Sequence, residues 1–354
     1  MRVLVTGGAG FIGTHVCQDL LRRGHAVDVL DDLSTGCRDN LAGLPVGLYL
    51  GTVADPDVVA AASRKVDAVV HLAAVASVPD SFERPADTLR VNAVGTHNVL
   101  EAARATGAHV VVASSASIYG DDAAARKHES AEPLPSSPYA VSKLVAELYA
   151  TAWQRAFGLP TLTFRFFNVF GPLQRPSPSA GAVVPAFITA ALAGAELSVL
   201  GDGRQVRDFV PVTTAAAVIA EAVERRLVHP APVNLALGGS TSLLDLIAHL
   251  EEILGRRLPT RHLPARQGDI RSSCADDSLF RRLFPGVATP SITDTLRDTV
   301  AWWQSGNREI ASAVADEKPN GISAGPSRTP NDIRAKRPIG KTTTTLVPSA
   351  RPTV

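Results

Sequence analysis

Cysteine is scarce. The 354 residues hold three, Cys17, Cys37 and Cys274, widely spaced and free of any CxxC pairing. An odd, scattered set excludes a disulfide framework and a zinc knuckle, and it favours a reducing compartment. Charge of one sign is also missing: the formal net charge is +1, so the composition shows no bias toward nucleic acid or another polyanion. No apolar run approaches the ~18–20 residues that span a bilayer. The opening MRVLVTGG reads as a strand running into a glycine turn, not as a charged segment before an apolar core. The expectation is a cytosolic protein with neither membrane nor nucleic-acid partners. Aromatics, at 5%, are few beside abundant Ala, Val and Leu, a balance suited to helices packed on a parallel sheet. The length allows two domains or one large α/β unit.

The first 165 residues alternate. RVLVT (2–6), AVDVL (26–30), GLYL (47–50), VDAVVHLA (66–73), HVVVA (109–113) and TLTFRF (161–166) are short apolar runs. Segments with helical spacing separate them, such as IGTHVCQDLLRRG and TLRVNAVGTHNVLEAARATG. Such alternation predicts βαβ units and a doubly wound parallel sheet, covered on both faces. From about Gly171 the pattern loosens, with helices expected near 183–194, 213–227 and 242–255. The predicted division is a Rossmann domain over 1–167, joined by parts of 211–237 including a strand at 233–237, and a smaller α/β lobe over 168–304. Residues 305–354, rich in Pro, Thr and Lys with scarcely any apolar periodicity, read as a disordered tail.

VTGGAGFIG contains Gly7, Gly10 and Gly13 in the spacing GxxGxxG. A lone glycine pattern is weak evidence, but this one follows an apolar strand and opens a helix, the context that makes it informative. Glycines there let backbone N–H groups approach a pyrophosphate at a helix N-terminus. Asp31, at the end of the second strand, is placed to accept both ribose hydroxyls of NAD and would repel the extra phosphate of NADP. A metal is not expected, since no His/Cys/Asp cluster is present. His71, at the end of the fourth strand, reads as a packed, hydrogen-bonded histidine.

SSPYAVSKLVAELYATAWQRAFG begins as a helix should, with Ser137 as cap, Pro138 in the first position and Gly158 at its exit. Tyr139 and Lys143 are four apart and share a face. A tyrosine titrates near pH 10, and lowering it by about 3 units takes roughly 4 kcal/mol. An ammonium about 5 Å away supplies roughly 3 kcal/mol at an effective dielectric near 20, so the lysine is expected to do most of that work. Such a pair occurs by chance in many helices. Its weight comes from joining the glycine cradle and the hydroxyl pair Ser114–Ser115.

GGAGFIG, DDLSTG, HLAA, SSASIYG, YAVSK, FRFFNVFGP, GDGRQVRDF and RQGD, in that order, resemble the extended short-chain dehydrogenase/reductases. Among these the chain is most similar to nucleotide-sugar 4-epimerases of the UDP-glucose 4-epimerase type. The resemblance implies NAD as cofactor, a nucleotide-sugar substrate, and a homodimer formed through helices near 89–106 and 137–157. It implies that Tyr139 is the base, that Lys143 lowers its pKa and holds the nicotinamide ribose, and that Ser115 bridges the sugar oxygen and the phenol. Ser114 would support the cofactor or the strand end. The cofactor contacts it implies include Gly7, Gly10, Phe11, Ile12 and Gly13 in the cradle. Asp31, Asp32, Ser34, Thr35 and Gly36 follow after the second strand. Val53, Leu72, Ala73, Ala74, Asn92 and Phe166 line the rest.

On the substrate side the resemblance implies Arg207 and Arg266 on the diphosphate, where a planar guanidinium bonds two oxygens at once. Asn168 would contact the diphosphate or sugar, the backbone near Val183 and Val184 would face the base, Val199 would line the substrate site, and Asp269 would hold the ribose. Taken alone, Arg207 and Asp208 are more often a surface ion pair. Ser273 aligns with a gate beside the sugar, where a small residue leaves room for an N-acetyl group. The stretch after Ser115 carries Ala116 and Ser117 where the family's dehydratases and decarboxylases place carboxylates. Hydride removal and return need only one base, one hydroxyl and bound NAD, which fits a 4-epimerase. A dehydratase or ketosugar reductase stays open as an alternative, as does a non-catalytic NAD-binding protein. Thr52 and Thr213 depart from aspartates common in the family. Thr213 with Thr214 is expected to cap the helix that follows.

Overall fold

The structure, a computed structural model, describes residues 1–122, 124–176, 182–265 and 270–305. Arg266, Asp269 and residues 306–354 of the tail expected over 305–354 lie outside them. Six strands, β1 (Arg2–Thr6), β2 (Ala26–Asp31), β3 (Val46–Leu50), β4 (Ala68–His71), β5 (His109–Ser115) and β6 (Thr161–Phe166), are joined by a seventh, Val233–Leu235. All pair in parallel, in the order β3-β2-β1-β4-β5-β6 and then the seventh strand. The fold is a doubly wound Rossmann sheet. Its strand order reverses between β1 and β4, where ligands of such sheets bind.

The strands are near-continuous Val and Leu runs because both faces are covered. Val3 and Val5 face one core with Val16, Cys17 and Leu20, while Leu4 faces the other with Val99 and Leu100. Helix Phe11–Arg22 packs against helix Val212–Glu224 on the first face. Helices Pro56–Ala62, Gly95–Thr106 and Pro138–Phe157 supply the second. A third core, containing Phe187, Ile188, Leu246, Leu250 and Trp303, gathers helices Val183–Leu192, Leu243–Leu254 and Ile292–Gln304.

Three local expectations change. The helix expected across 88–107 is interrupted: Pro85–Leu89, a π turn at Arg90–Val94, then Gly95–Thr106. The expected strand over 66–73 is only Ala68–His71, because the chain leaves the sheet at the switch point. Thr213 and Thr214 do not cap their helix. Val212 already begins it, Pro211 is the cap residue without a side-chain bond, and Thr214 donates instead to the Ala288 carbonyl at 3.1 Å.

Candidate active site

At the carboxyl ends of β1 and β2 the glycines are needed for space. A Cβ on Gly13 would lie 2.1 Å from the Gly7 carbonyl oxygen, and one on Gly7 would lie 2.8 Å from the Ala73 nitrogen. Gly7 also holds a φ of +72°, a left-handed conformation that costs other residues more. Helix Phe11–Arg22 opens on Gly10 with no side-chain cap and no acid in its first turn. Its N–H groups and positive dipole end can therefore hold an anionic group. These features fit a dinucleotide pyrophosphate.

Asp31 is buried at the end of β2. Its carboxylate accepts the Ala9 N–H at 2.9 Å and the Leu33 N–H at 2.8 Å. Burial raises its pKa, and these two bonds oppose the rise. A carboxylate has about four acceptor positions, which leaves capacity for ribose hydroxyls. Asp32 turns the loop by accepting the Ser34 N–H at 2.9 Å, and Ser34 and Thr35 are exposed on it. A Cβ on Gly36 would lie 3.0 Å from Asp31 Oδ1. Asn40, a residue the sequence reading did not single out, donates to the Ala9 carbonyl at 2.9 Å and ties this loop to the cradle.

Around the switch point a chain of polar groups fixes the strand ends. Thr6 Oγ1 lies 2.8 Å from His71 Nδ1, and His71 Nε2 lies 3.0 Å from Thr96 Oγ1. Thr96 donates to the Asn92 carbonyl at 2.6 Å, within the π turn. Asn92 is buried and engaged on all sides: it bonds both backbone groups of Val75 and donates to Ser142 Oγ at 2.9 Å. Ser142 donates in turn to the Tyr139 carbonyl at 2.7 Å. Asn92 thus locks the loop after β4 to the helix bearing Tyr139. Ser142 was legible only as the serine of YAVSK, and nothing in the sequence said what it holds. Val53 is buried in the core, and Leu72, Ala73, Ile12 and Phe166 pack partly buried against the cores.

Ser115 ends β5 and caps the 3-10 turn Ala116–Tyr119, accepting the Ser117 N–H at 3.1 Å. With its oxygen so engaged, its own proton remains to be donated. Ser137 caps helix Pro138–Phe157 as expected, and Gly158 closes it in the left-handed conformation. Tyr139 is half-buried. Burial raises its phenol pKa, and a hydrogen bond with Ser115 opposes that. Lys143 is buried, donates to the Ala113 carbonyl at 2.9 Å, and sits 6.0 Å from the Tyr139 ring centroid. Its pKa falls to about 8 because burial disfavours the ammonium. Burial thus outweighs the neighbouring groups in the protein alone, and the expected lowering rests on Lys143 together with the positive nicotinamide ring. Ser114 lies buried behind the pair, 3.5 Å from the Lys143 carbonyl.

The chain after β6 brings further predicted residues together. Val206–Arg207 forms the central strand of a three-stranded sheet, antiparallel to Thr241–Ser242 and parallel to Ser272–Ser273. Arg207 and Ser273 are register partners. Asn168 is exposed at the start of a short strand, Asn168–Phe170, that pairs with Phe209–Pro211. Asp208 is not in a surface ion pair. It is fully buried, accepts the Leu237 N–H at 3.1 Å, and is pushed up to about 6 by burial against backbone bonds from Leu237, Ala275, Gly239 and Gly238. Val199 is fully buried and Val184 nearly so, both with side chains packed in the third core. Val183 is half-buried. Among the described residues no group of three or more His, Cys, Asp or Glu gathers as metal ligands.

A glycine cradle, an acid at the end of β2 and a Ser–Tyr–Lys set at the switch point agree with one comparison. Residues 3–236 match the NAD dependent epimerase/dehydratase family. The chain belongs to this family. It is 33% identical to the UDP-glucose 4-epimerase of Mycolicibacterium smegmatis over 316 residues, 86% of this chain and 99% of that one. Among solved structures it resembles the UDP-N-acetylglucosamine 4-epimerase from Methanobrevibacter ruminantium M1, with TM-score 0.81 and 34% identity over 86% of this chain and 98% of that one. It also resembles the dTDP-glucose 4,6-dehydratase from Streptomyces venezuelae, solved with NAD and TYD bound. There the TM-score is 0.80 and the identity 31%, over 87% of this chain and 98% of that one. As a member of an NAD-dependent family of enzymes, this chain uses NAD, and the cradle fits it. Membership alone leaves epimerase, dehydratase and decarboxylase chemistry unresolved.

Proposed function

We propose that this chain is a nucleotide-sugar 4-epimerase acting on a UDP-hexose. The observation that carries the reading is the turn after β5. Ser115 holds the Tyr139 phenol down against the burial that raises it, and the next two positions, Ala116 and Ser117, carry no carboxylate. Dehydration needs a second group to move a proton and expel water. Epimerisation needs only one base and one hydroxyl beside the cofactor.

When bound in the cradle, NAD supplies the acceptor and later the donor of a hydride. Tyr139, ionised once positive charge gathers around it, takes the proton from the C4 hydroxyl, and Ser115 donates a hydrogen bond to the same oxygen. Lys143, kept protonated below about pH 8, contributes the charge that offsets the cost of burying a phenolate. The C4 carbonyl so formed turns its other face inward. Tyr139, carrying the proton it took, would return it to the C4 oxygen of the 4-epimer, so the residue ends the cycle in the state in which it began. Asp31, which accepts from Ala9 and Leu33, would hold the adenosine ribose through its remaining acceptor positions. Arg207 binds the diphosphate, with Ser273 beside it leaving room for an N-acetyl group, and Asn168, Arg266 and Asp269 complete the nucleotide-sugar contacts.

We also propose a cytoplasmic homodimer. Val141 and Leu148, seven residues apart and so on one face of helix Pro138–Phe157, are exposed, and a second copy would cover them. Among the described residues no helix is long and apolar enough to cross a membrane. Incubating the purified protein with UDP-glucose, UDP-N-acetylglucosamine or UDP-glucuronate, without added reductant, tests the reaction. Appearance of the matching 4-epimer supports it. A dehydrated or decarboxylated product would assign the chain to another branch of the family.

A further inference from the structure

Behind the Ser–Tyr–Lys set lies a buried ion pair that the proposed reaction does not use. Arg165 on β6 and Glu147 on helix Pro138–Phe157 have side chains only 4% and 5% exposed. The guanidinium meets the carboxylate through two bonds, Nε to Oε1 and Nη2 to Oε2, both 2.9 Å. Its third arm, Nη1, donates to the Tyr119 hydroxyl at 2.9 Å and to the Glu129 carbonyl at 3.1 Å. Tyr119 passes its own proton to Asn234 Oδ1 at 2.6 Å.

The placement of these groups gives the cluster its meaning. Glu147 follows Lys143 by four residues and Tyr139 by eight, so the three share one face of the helix. Tyr119 closes the 3-10 turn that Ser115 caps. Arg165 stands opposite Ser114 in the register of β5 and β6. One guanidinium therefore bridges the helix that carries Tyr139 to the turn that follows Ser115. A buried ion pair is weak evidence for stability, since apolar replacements of similar volume are often neutral or better. A planar fork with fixed bond directions does, however, hold two elements at a set distance and angle.

We propose that Arg165, Glu147 and Tyr119 are positioning residues: a strut that sets the separation of Ser115 from Tyr139. The inference rests on the proposed reaction for its kinetic readout only. Two variants test it in the NAD-loaded protein. Tyr119→Phe keeps the ring and removes the hydroxyl. The double variant Glu147→Leu with Arg165→Met replaces the pair by apolar side chains of similar bulk. A misplacement of about 1 Å can cost about 100-fold in turnover. The expected result for both is a kcat lower by about 10- to 100-fold with KM within about twofold, at unchanged NAD content and, for the double variant, an unfolding midpoint no lower than the parent's. A double variant with the parent's kcat would overturn the inference, as would a loss in both variants that merely follows loss of folded, NAD-loaded protein.

A second readout needs no substrate. Titrating the Tyr139 phenol by difference absorbance, each protein against its own Tyr139→Phe counterpart, should place it higher in the double variant, because the hydrogen bond from Ser115 that holds it down is lengthened. An unshifted titration overturns the strut. If the parent protein converted no UDP-hexose, the proposed reaction would fall while the titration would still decide this point.

Discussion

His71 links the chemistry of the site to the stability of the fold, and replacing it by glutamine makes the link measurable. The imidazole is buried between Thr6 and Thr96. Burial, with the nearby Lys143 charge adding to it, lowers its pKa to about 3 from an ordinary 6.5. The folded protein thus refuses a proton that the unfolded chain accepts. A depressed folded pKa contributes stability that is full above 6.5 and is lost as pH falls toward 3. The whole gap is worth about 5 kcal/mol, and the part already lost by pH 5 is about 2 kcal/mol. Urea unfolding of both proteins at pH 7.5 and pH 5.0 isolates this group, because other titrations cancel in the difference. The parent should lose about 2 kcal/mol more than His71→Gln between those two pH values. Equal losses would mean that His71 is not held neutral, and the reasoning about burial at the switch point would fail.

Other outcomes follow from the same geometry. Gly13→Ala, whose Cβ would fall 2.1 Å from the Gly7 carbonyl oxygen, should cost about 1–3 kcal/mol of stability and abolish NAD retention, read by absorbance of the cofactor released on denaturation. Tyr139→Phe should lower turnover at least about 100-fold while nucleotide binding by calorimetry stays within about twofold. Lys143 near pKa 8 predicts that kcat/KM declines as pH rises past about 8, and that Lys143→Arg, which stays protonated, lacks that limb. Ser273→Tyr should raise KM for an N-acetylhexosamine substrate about tenfold or more and leave UDP-glucose nearly unaffected. A variant that treats both sugars alike would remove Ser273 from the gate.

The sheet was legible because every strand is an apolar run closed by a turn signal, and Ser137 and Gly158 delimit the Tyr139 helix as written. The π turn at Arg90–Val94 was not legible. Its local residues are ordinary helix formers, and the distortion shows only once Asn92 is seen bonding Val75 and Ser142. The fate of Asp208 was hidden likewise. Its backbone donors come from residues about 30 and 70 positions away, so the sequence neighbour Arg207 looked like the natural partner. Lys143 shows a limit of another kind: helical spacing gives proximity to Tyr139, but desolvation depends on the finished fold. Arg165 read as part of a strand and Glu147 as an ordinary helix residue, and only the folded chain joins them.

The most direct test of the central claim is proton nuclear magnetic resonance of the purified protein with UDP-glucose, UDP-N-acetylglucosamine and UDP-glucuronate in separate tubes. An anomeric signal of the matching 4-epimer, growing to equilibrium at constant absorbance of reduced cofactor, is the predicted result. A 4-keto-6-deoxy or pentose product, or no conversion by folded, NAD-loaded protein of any of the three, would contradict a UDP-hexose 4-epimerase.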